Sequence, residues 1–190
     1  MTIRSRCIRF ILACAALVLA MSATSATTLL RMSVARMSET AQLIVRARCL
    51  ANSVGWDAGE IWTFTSFEVR EVWSGSSPAR ITVRLLGGRV GNLTSSVSGV
   101  PRFRPGEEVV LFLEPTRRGD FSVVGWEQGT FRIRRDPRTS EESVTQDTAS
   151  FATFDPAARR FETIGVRQMP IDLFHARVDA ALGARTGGKL

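Results

Sequence analysis

Beyond residue 26 the sequence holds a single cysteine, Cys49, because Cys7 and Cys14 both precede that point. A disulfide-stapled scaffold is therefore excluded for that part of the chain. His175 is the only histidine. One cysteine and one histidine do not make a zinc set, which needs several such ligands. A Ser-His-Asp or Cys-His arrangement would have to run through His175, and nothing near it in sequence supplies partners, so it reads as a surface helical residue. No acidic cluster has calcium-loop spacing, and Asp57, Glu60 and Glu68 read as strand-end charges. Gly87-Gly88-Arg89-Val90-Gly91 lacks both the Gly-Lys-Ser/Thr ending and a following helix, so it reads as a strand break or bulge and not as a phosphate loop. Glu107 and Glu108 are adjacent, and adjacent strand residues point to opposite faces, which does not suit a catalytic carboxylate pair. These absences lead to the expectation of no catalytic set and no cofactor. Lysine is nearly absent too: Lys189 is the only one among 25 basic residues. The arginines are scattered, which argues against a nucleic-acid partner. No apolar run reaches the ~20 residues of a membrane-spanning helix.

What is present begins with an export signal. Arg4, Arg6 and Arg9 give a basic start, Phe10 to Ala20 is apolar, and Thr24-Ser25-Ala26 offers a small-x-small cleavage site, with a cut after Ala23 as the near alternative. Residues 1–26 thus read as a cleaved signal peptide, and the remainder as a secreted or periplasmic domain with no stable membrane span. Asn92-Leu93-Thr94 matches the N-glycosylation triplet.

Strand signals dominate residues 27–135. Val109 to Leu113 is an unbroken apolar run, entered by Pro105-Gly106 and left at Pro115, which suits a strand buried on both faces. Arg118-Gly119-Asp120 turns it into a hairpin partner at Phe121–Val124. In Ala41–Leu50, Leu43, Val45, Ala47 and Cys49 alternate with Ile44, Arg46 and Arg48, so Cys49 reads as a small buried apolar residue. Asn52–Gly59 reads as a turn region. Glu60–Trp73 is a long strand with Ile61, Thr63, Thr65, Phe67 and Val69 on one face. Ile81, Val83 and Leu85 form a third strand, Thr94–Val97 a short edge segment, and Thr130–Arg135 a further strand with Phe131 and Ile133 facing in. Leu29–Met37 has helical spacing, with Ser33 able to cap a shorter version. Residues 136–150 read as a mobile surface loop. Within 151–190, Phe151–Phe154 and Phe161–Ile164 read as a hairpin around Asp155-Pro156. Pro170 opens a helix that Gly183 closes, with Ile171, Phe174, Val178 and Leu182 as its apolar stripe. Thr186–Leu190 reads as a tail. The expected fold is mostly β: a small OB-like barrel with a short N-terminal helix and a C-terminal helix packed on it.

The candidate binding residues are Trp56, Arg89, Arg102, Phe103, Arg104, Glu107 and Trp126. They fall in or beside three connections, Asn52–Gly59, Gly87–Ser98 and Gly99–Gly106, or in a turn. Tryptophan and arginine are enriched where proteins meet. Two alternatives stay open at this point: the tryptophans, with Trp62 and Trp73, cap the barrel ends, and Phe103 tucks beneath the barrel.

Several motifs agree in order: Ala41-Gln42-Leu43-Ile44-Val45-Arg46-Ala47-Arg48, Trp73-Ser74-Gly75, Gly87-Gly88, Gly99-Val100-Pro101-Arg102-Phe103-Arg104-Pro105-Gly106-Glu107, and Gly125-Trp126-Glu127-Gln128-Gly129. With them the chain resembles a group of uncharacterised exported bacterial proteins carrying a Gly-x-Pro-x-Phe-x-x-Gly-Glu signature. The opening strand and the strand order are also similar to netrin-like modules, including the tissue inhibitors of metalloproteinases. That resemblance implies an OB-type barrel with flanking helices. It transfers no functional residue, because those inhibitors act through an N-terminal cysteine that the expected mature chain lacks. The expected function is a secreted or periplasmic binding module for an extracellular or envelope protein. A protease inhibitor or protease-associated module and a structural envelope protein are the alternatives.

Overall fold

The computed structural model describes residues 29–146, 153–155, 159–162 and 165–187. The predicted signal peptide, parts of the predicted 151–164 hairpin and the last three residues of the predicted tail lie outside the described residues. In chain order the elements are β1 (Leu29–Leu30), α1 (Val34–Thr40), β2 (Leu43–Asp57), β3 (Glu60–Ser74), β4 (Arg80–Leu86), β5 (Gly88–Val90), β6 (Leu93–Ser95), β7 (Glu108–Pro115) and β8 (Phe121–Val123). A 3-10 turn (Trp126–Gly129) leads into β9 (Thr130–Arg135), β10 (Glu142–Gln146), β11 (Thr153–Asp155), β12 (Arg160–Glu162), β13 (Met169–Pro170) and α2 (Ile171–Gly187).

The alternation within β7 sets the plan. Val109, Leu111 and Leu113 face one apolar cluster, with Leu43, Val45, Ala47 and Cys49 of β2, Phe67 of β3 and Val83 of β4. Val110 and Phe112 face a second cluster, with Ile44, Phe131, Val144 and the helix residues Met37, Phe174 and Val178. All five residues from Val109 to Leu113 are 0% exposed. A strand that is wet on one side would need polar residues at alternate positions; β7 has none because both of its sides are interior.

Around the first cluster the strands run β7-β2-β3-β4-β8, and β8 pairs back onto β7, so five strands make a circuit. Its weakest seam is a single parallel pair, Val83 with Phe121, so the circuit is only partly closed. The mostly β class, with a short helix near the N-terminus and a C-terminal helix, is what the structure has. On the other side of β7 the sheet continues through β9, β10 and β13, and α1 and α2 cover its apolar face. β1, β11 and β12 form a separate three-stranded sheet. No helix among the described residues is long and apolar enough to cross a membrane.

The structure moves several boundaries. The first helix starts at Val34 because Leu29–Leu30 pairs in parallel with β11, and Ser33 caps it, its Oγ accepting from the Arg36 amide at 3.1 Å. β2 runs seven residues beyond Leu50, since Asn52–Asp57 pairs with β3 throughout and only Ala58-Gly59 turns. Within 136–150, Glu142–Gln146 is not a loop but a strand. It pairs antiparallel with β9 and buries Val144 at 0% exposure, so one apolar residue in the right register sufficed. Near the predicted edge segment, β6 pairs with β5 about the Gly91-Asn92 turn. α2 continues past Gly183 to Gly187; a lone glycine costs a helix roughly 1 kcal/mol, too little to stop it without a cap.

Phe174 anchors α2. Its ring centroid lies 4.5 Å from that of Phe131, 5.9 Å from Trp73 and 6.4 Å from Phe112. Phe174→Ala is expected to lower stability by about 3–5 kcal/mol, the usual cost of an aromatic deletion in a packed core. Urea unfolding followed by circular dichroism measures it, and a loss below about 1 kcal/mol would mean that α2 does not dock as described.

Candidate binding surfaces

Beyond Arg48, β2 leaves β7 and pairs with β3 alone, while β3 pairs on its other side with β4 from Trp62 to Glu68, so the end of the β2–β3 hairpin, here called the arm, forms an open edge of the sheet. The tip is a two-residue turn with Ala58 at φ 51° and Gly59 at φ 83°, both left-handed, as a type I′ hairpin requires. A register shift between Cys49 and Ala51 changes which β2 side chains face inward. Before it, Cys49 is inside; after it, Asn52, Val54 and Trp56 lie opposite Thr65, Thr63 and Ile61, which face the interior side. The β5–β6 hairpin lies over that side. Gly88 is a necessary glycine there, because a Cβ on it would sit 2.5 Å from Val54 Cγ1 and 2.8 Å from Thr63 Oγ1. The result is an apolar surface at the arm: Trp56 is 55% exposed and Val54 40%, and Leu93 on β6 is 58% exposed.

On the arm's other side, Arg84 of β4 holds the tip in place. Its guanidinium lies 4.1 Å from the Trp62 ring centroid and 5.7 Å from that of Phe64. It pairs with Asp57 and stands 3.8 Å from Asp120, while Asp57 also accepts from Arg118. Arg84, and then Arg118, hold the Asp57 carboxyl below the usual carboxylate range. The arm that carries Trp56 is thus fixed by charge at its end, which limits the ordering cost of binding.

A second, polar surface lies across β7, β9 and β10. It is a cleft of about 470 Å³ lined by Arg104, Glu107, Glu108, Arg132 to Arg135 and Glu142. At its edge Arg46 grips Glu142 with two parallel bonds, Nη1 to Oε2 at 2.8 Å and Nη2 to Oε1 at 2.9 Å, and Nη2 also reaches Glu108 at 2.7 Å. Arg135 adds a bond to Glu142 at 2.8 Å. Two strands separate β10 from β2, so in a flat sheet with roughly 4.8 Å between strands this pair would not meet; the contact reports the curl of the sheet. Arg46 first, then Arg135, depress the Glu142 pKa, and Glu142 in turn raises that of Arg46 despite its partial burial.

The sequence candidates separate into two kinds. Trp56 and Arg89 lie on the arm and its covering hairpin, and Arg89 is exposed, its Nε donating to Gly91 O at 3.2 Å. Arg102 is a clamp: Nη1 donates to Thr63 Oγ1 and Gly87 O, and Nη2 to Leu86 O, all at 3.3 Å, tying its loop beneath the arm. Phe103 is 6% exposed and meets Phe67 edge-on at 5.0 Å, so it tucks under the sheet and presents no exposed anchor. Glu107 accepts from the Arg104 amide at 3.0 Å and pairs with Arg132, locking the turn that feeds β7. Arg104 is exposed, and its guanidinium meets no carboxylate among the described residues. Trp126 packs half-buried against the interior of the strand circuit and is not on the arm. Of the other tryptophans, Trp62 lies under Arg84, and Trp73 stacks on His175 with centroids 4.2 Å apart and planes 10° from parallel. Cys49 is 1% exposed, and desolvation raises its thiol pKa. Val54, Leu93 and Glu142 were not among the sequence candidates. The signal for the first was available: Val54 and Trp56 keep period two up to a two-residue Ala-Gly turn.

Set against known proteins, the chain matches no family model and no curated sequence.

Glu142→Gln removes the charge that three strands share, and is expected to cost about 1–3 kcal/mol at neutral pH. Because the folded-state pKa of Glu142 is lowered, its contribution is present above the ordinary value of 4.5 and fades as the pH falls through the lowered one. The difference in stability between the two proteins should therefore shrink on acidification below that value. A difference that stayed constant down to strong acid would show that the pair contributes nothing.

Proposed function

We propose that this protein is an exported binding module that recognises a protein partner through the arm of β2 and β3 and the β5–β6 hairpin laid over it. The observation that carries the reading is Trp56. A tryptophan 55% exposed at the end of a braced arm, two residues from the exposed Val54, with Leu93 exposed on the covering hairpin, is the kind of apolar anchor on which protein contacts concentrate. Arg89 at the rim supplies the polar border that such patches have. The leader features of the sequence support the exported setting, and the OB-like strand circuit supports binding through one face and its connections by analogy of fold alone.

The reading is tested by capture followed by reconstitution. The immobilised protein is exposed to the producer's culture fluid and envelope extract, retained proteins are identified, and each is purified and titrated against wild type, Trp56→Ala and Leu93→Ser. The expected result is a partner whose Kd rises at least about tenfold with Trp56→Ala, the cost of losing an anchor residue. Should every partner bind the Trp56→Ala protein as tightly as wild type, the arm is not the binding surface. A captured protease would make inhibition kinetics the next measurement.

A further inference from the structure

The polar cleft across β7, β9 and β10 carries a charge imbalance that its own residues do not resolve. The three carboxylates that line it are all engaged: Glu142 by Arg46 and Arg135, Glu108 by Arg46, and Glu107 by Arg132. Three further arginines border the same space. Arg104 and Arg134 line it, and Arg48 stands beside Gly106, its Nη2 3.8 Å from where a Cβ on that glycine would lie. All three are exposed, and none of their guanidinium groups makes an ion pair among the described residues. The surplus positive charge is thus gathered at one concave site of about 470 Å³. A concave site lined by excess charge of one sign concentrates counter-ions of the other. The backbone that carries it is fixed. Arg48 is in the β2–β7 ladder opposite Glu108, and Arg134 is in the β9–β10 ladder opposite Ser143. The turn at Arg104 is closed from both ends, its amide donating to Glu107 Oε2 and its carbonyl accepting from the Glu107 amide, both at 3.0 Å. Binding would order side chains only, which keeps its cost low.

We propose that this cleft binds a phosphoryl group through Arg48, Arg104 and Arg134. The number of donors selects the ligand. Each guanidinium is a planar fork of N–H donors that matches a pair of oxygens. A carboxylate has two oxygens and one charge, and two arginines satisfy it, as Arg46 and Arg135 do for Glu142 in this same site. Three forks around one space suit a group with three terminal oxygens and a charge of about −2, which a phosphate monoester has. Free phosphate and a phosphorylated lipid head group present the same chemistry. No residue of the arm beyond Leu50 is among those that line the cleft, so the site is separate from the Trp56 surface.

The test is a titration of the purified protein with inorganic phosphate at constant ionic strength, followed by the arginine Nε–Hε resonances in nuclear magnetic resonance, with acetate as the planar comparator. Wild type is expected to bind phosphate at one site, at least about tenfold more tightly than acetate, because the third fork finds no oxygen on a carboxylate. Arg104→Gln and Arg134→Gln should each raise the phosphate Kd about tenfold or more, the loss that goes with one charged hydrogen-bonding partner. Arg104→Lys keeps the charge without the fork and should restore only part of the affinity. Arg80→Gln, at an exposed arginine of β4 outside the cleft, should change nothing. The side chains of Arg104 and Arg134 hold no other element in place, so their variants should keep the wild-type circular dichroism spectrum. Co-flotation with phosphatidylcholine vesicles that contain phosphatidic acid, lost in Arg104→Gln, would support the site and make a lipid head group its source; phosphate binding without flotation would support it with a soluble source. No binding of phosphate at tens of millimolar overturns the proposal. So does acetate bound as tightly as phosphate, or a phosphate Kd that neither Arg104→Gln nor Arg134→Gln moves. Partner capture reads the Trp56 surface and this titration reads the cleft, so a failure of one is distinguishable from a failure of the other.

Discussion

The two-sided burial of β7 is the constraint on which this structure depends. Five consecutive apolar residues with no polar alternate cannot lie on a surface, so the chain must cover both faces of that strand. One covering is the strand circuit, which brings β2, β3, β4 and β8 around Val109, Leu111 and Leu113. The other is the extension through β9 and β10 with α1 and α2 laid on Val110 and Phe112. Neither covering is complete without β7, which makes the two clusters one cooperative object and not two domains.

The surface follows from that core. Because β2 is held by β7 only along its first residues, the rest of it is a sheet edge paired with β3 alone, and the register shift after Cys49 directs Val54 and Trp56 to the face that β5 and β6 only partly cover. The tip would be loose if Arg84 did not fix Asp57 against β4 and the turn after β7. Charge therefore does two jobs at the two ends of β2: it braces the arm at Asp57, and through Arg46 it ties the curled sheet to Glu142. Both carboxylates are held ionised by arginines, so both contributions weaken in acid.

Much of this was legible in the sequence, for identifiable reasons. The Val109–Leu113 run, the alternation of Leu43 to Cys49 and the face of Ile61 to Phe67 are period-two signals strong enough to stand without tertiary information. The stripe from Ile171 to Leu182 is likewise a direct helical signal. What was not legible depends on partners far away in sequence. Glu142–Gln146 is polar and looks like a loop, and it becomes a strand because β9 offers a ladder and the outer cluster a place for Val144. Phe103 between two arginines reads equally as an exposed anchor or as a residue tucked beneath the sheet, and the edge-on contact with Phe67 decides for the second. Asn52–Gly59 looks like a turn because Asn, Ser and Gly are frequent in it, yet the pairing with β3 outweighs those weak preferences. The arm was thus the part of the candidate surface that sequence reasoning placed but did not shape.

The most direct measurement of the central claim is native-state hydrogen exchange on the full chain, residue by residue along β7. If both faces of that strand are interior to one cooperative core, the amides of Val109 to Leu113 exchange only through global unfolding, with the highest protection in the chain. The contradicting result is exchange of those amides at a lower free energy than that of β3 or β4, which would mean that the outer covering opens and exposes β7 while the strand circuit stays folded.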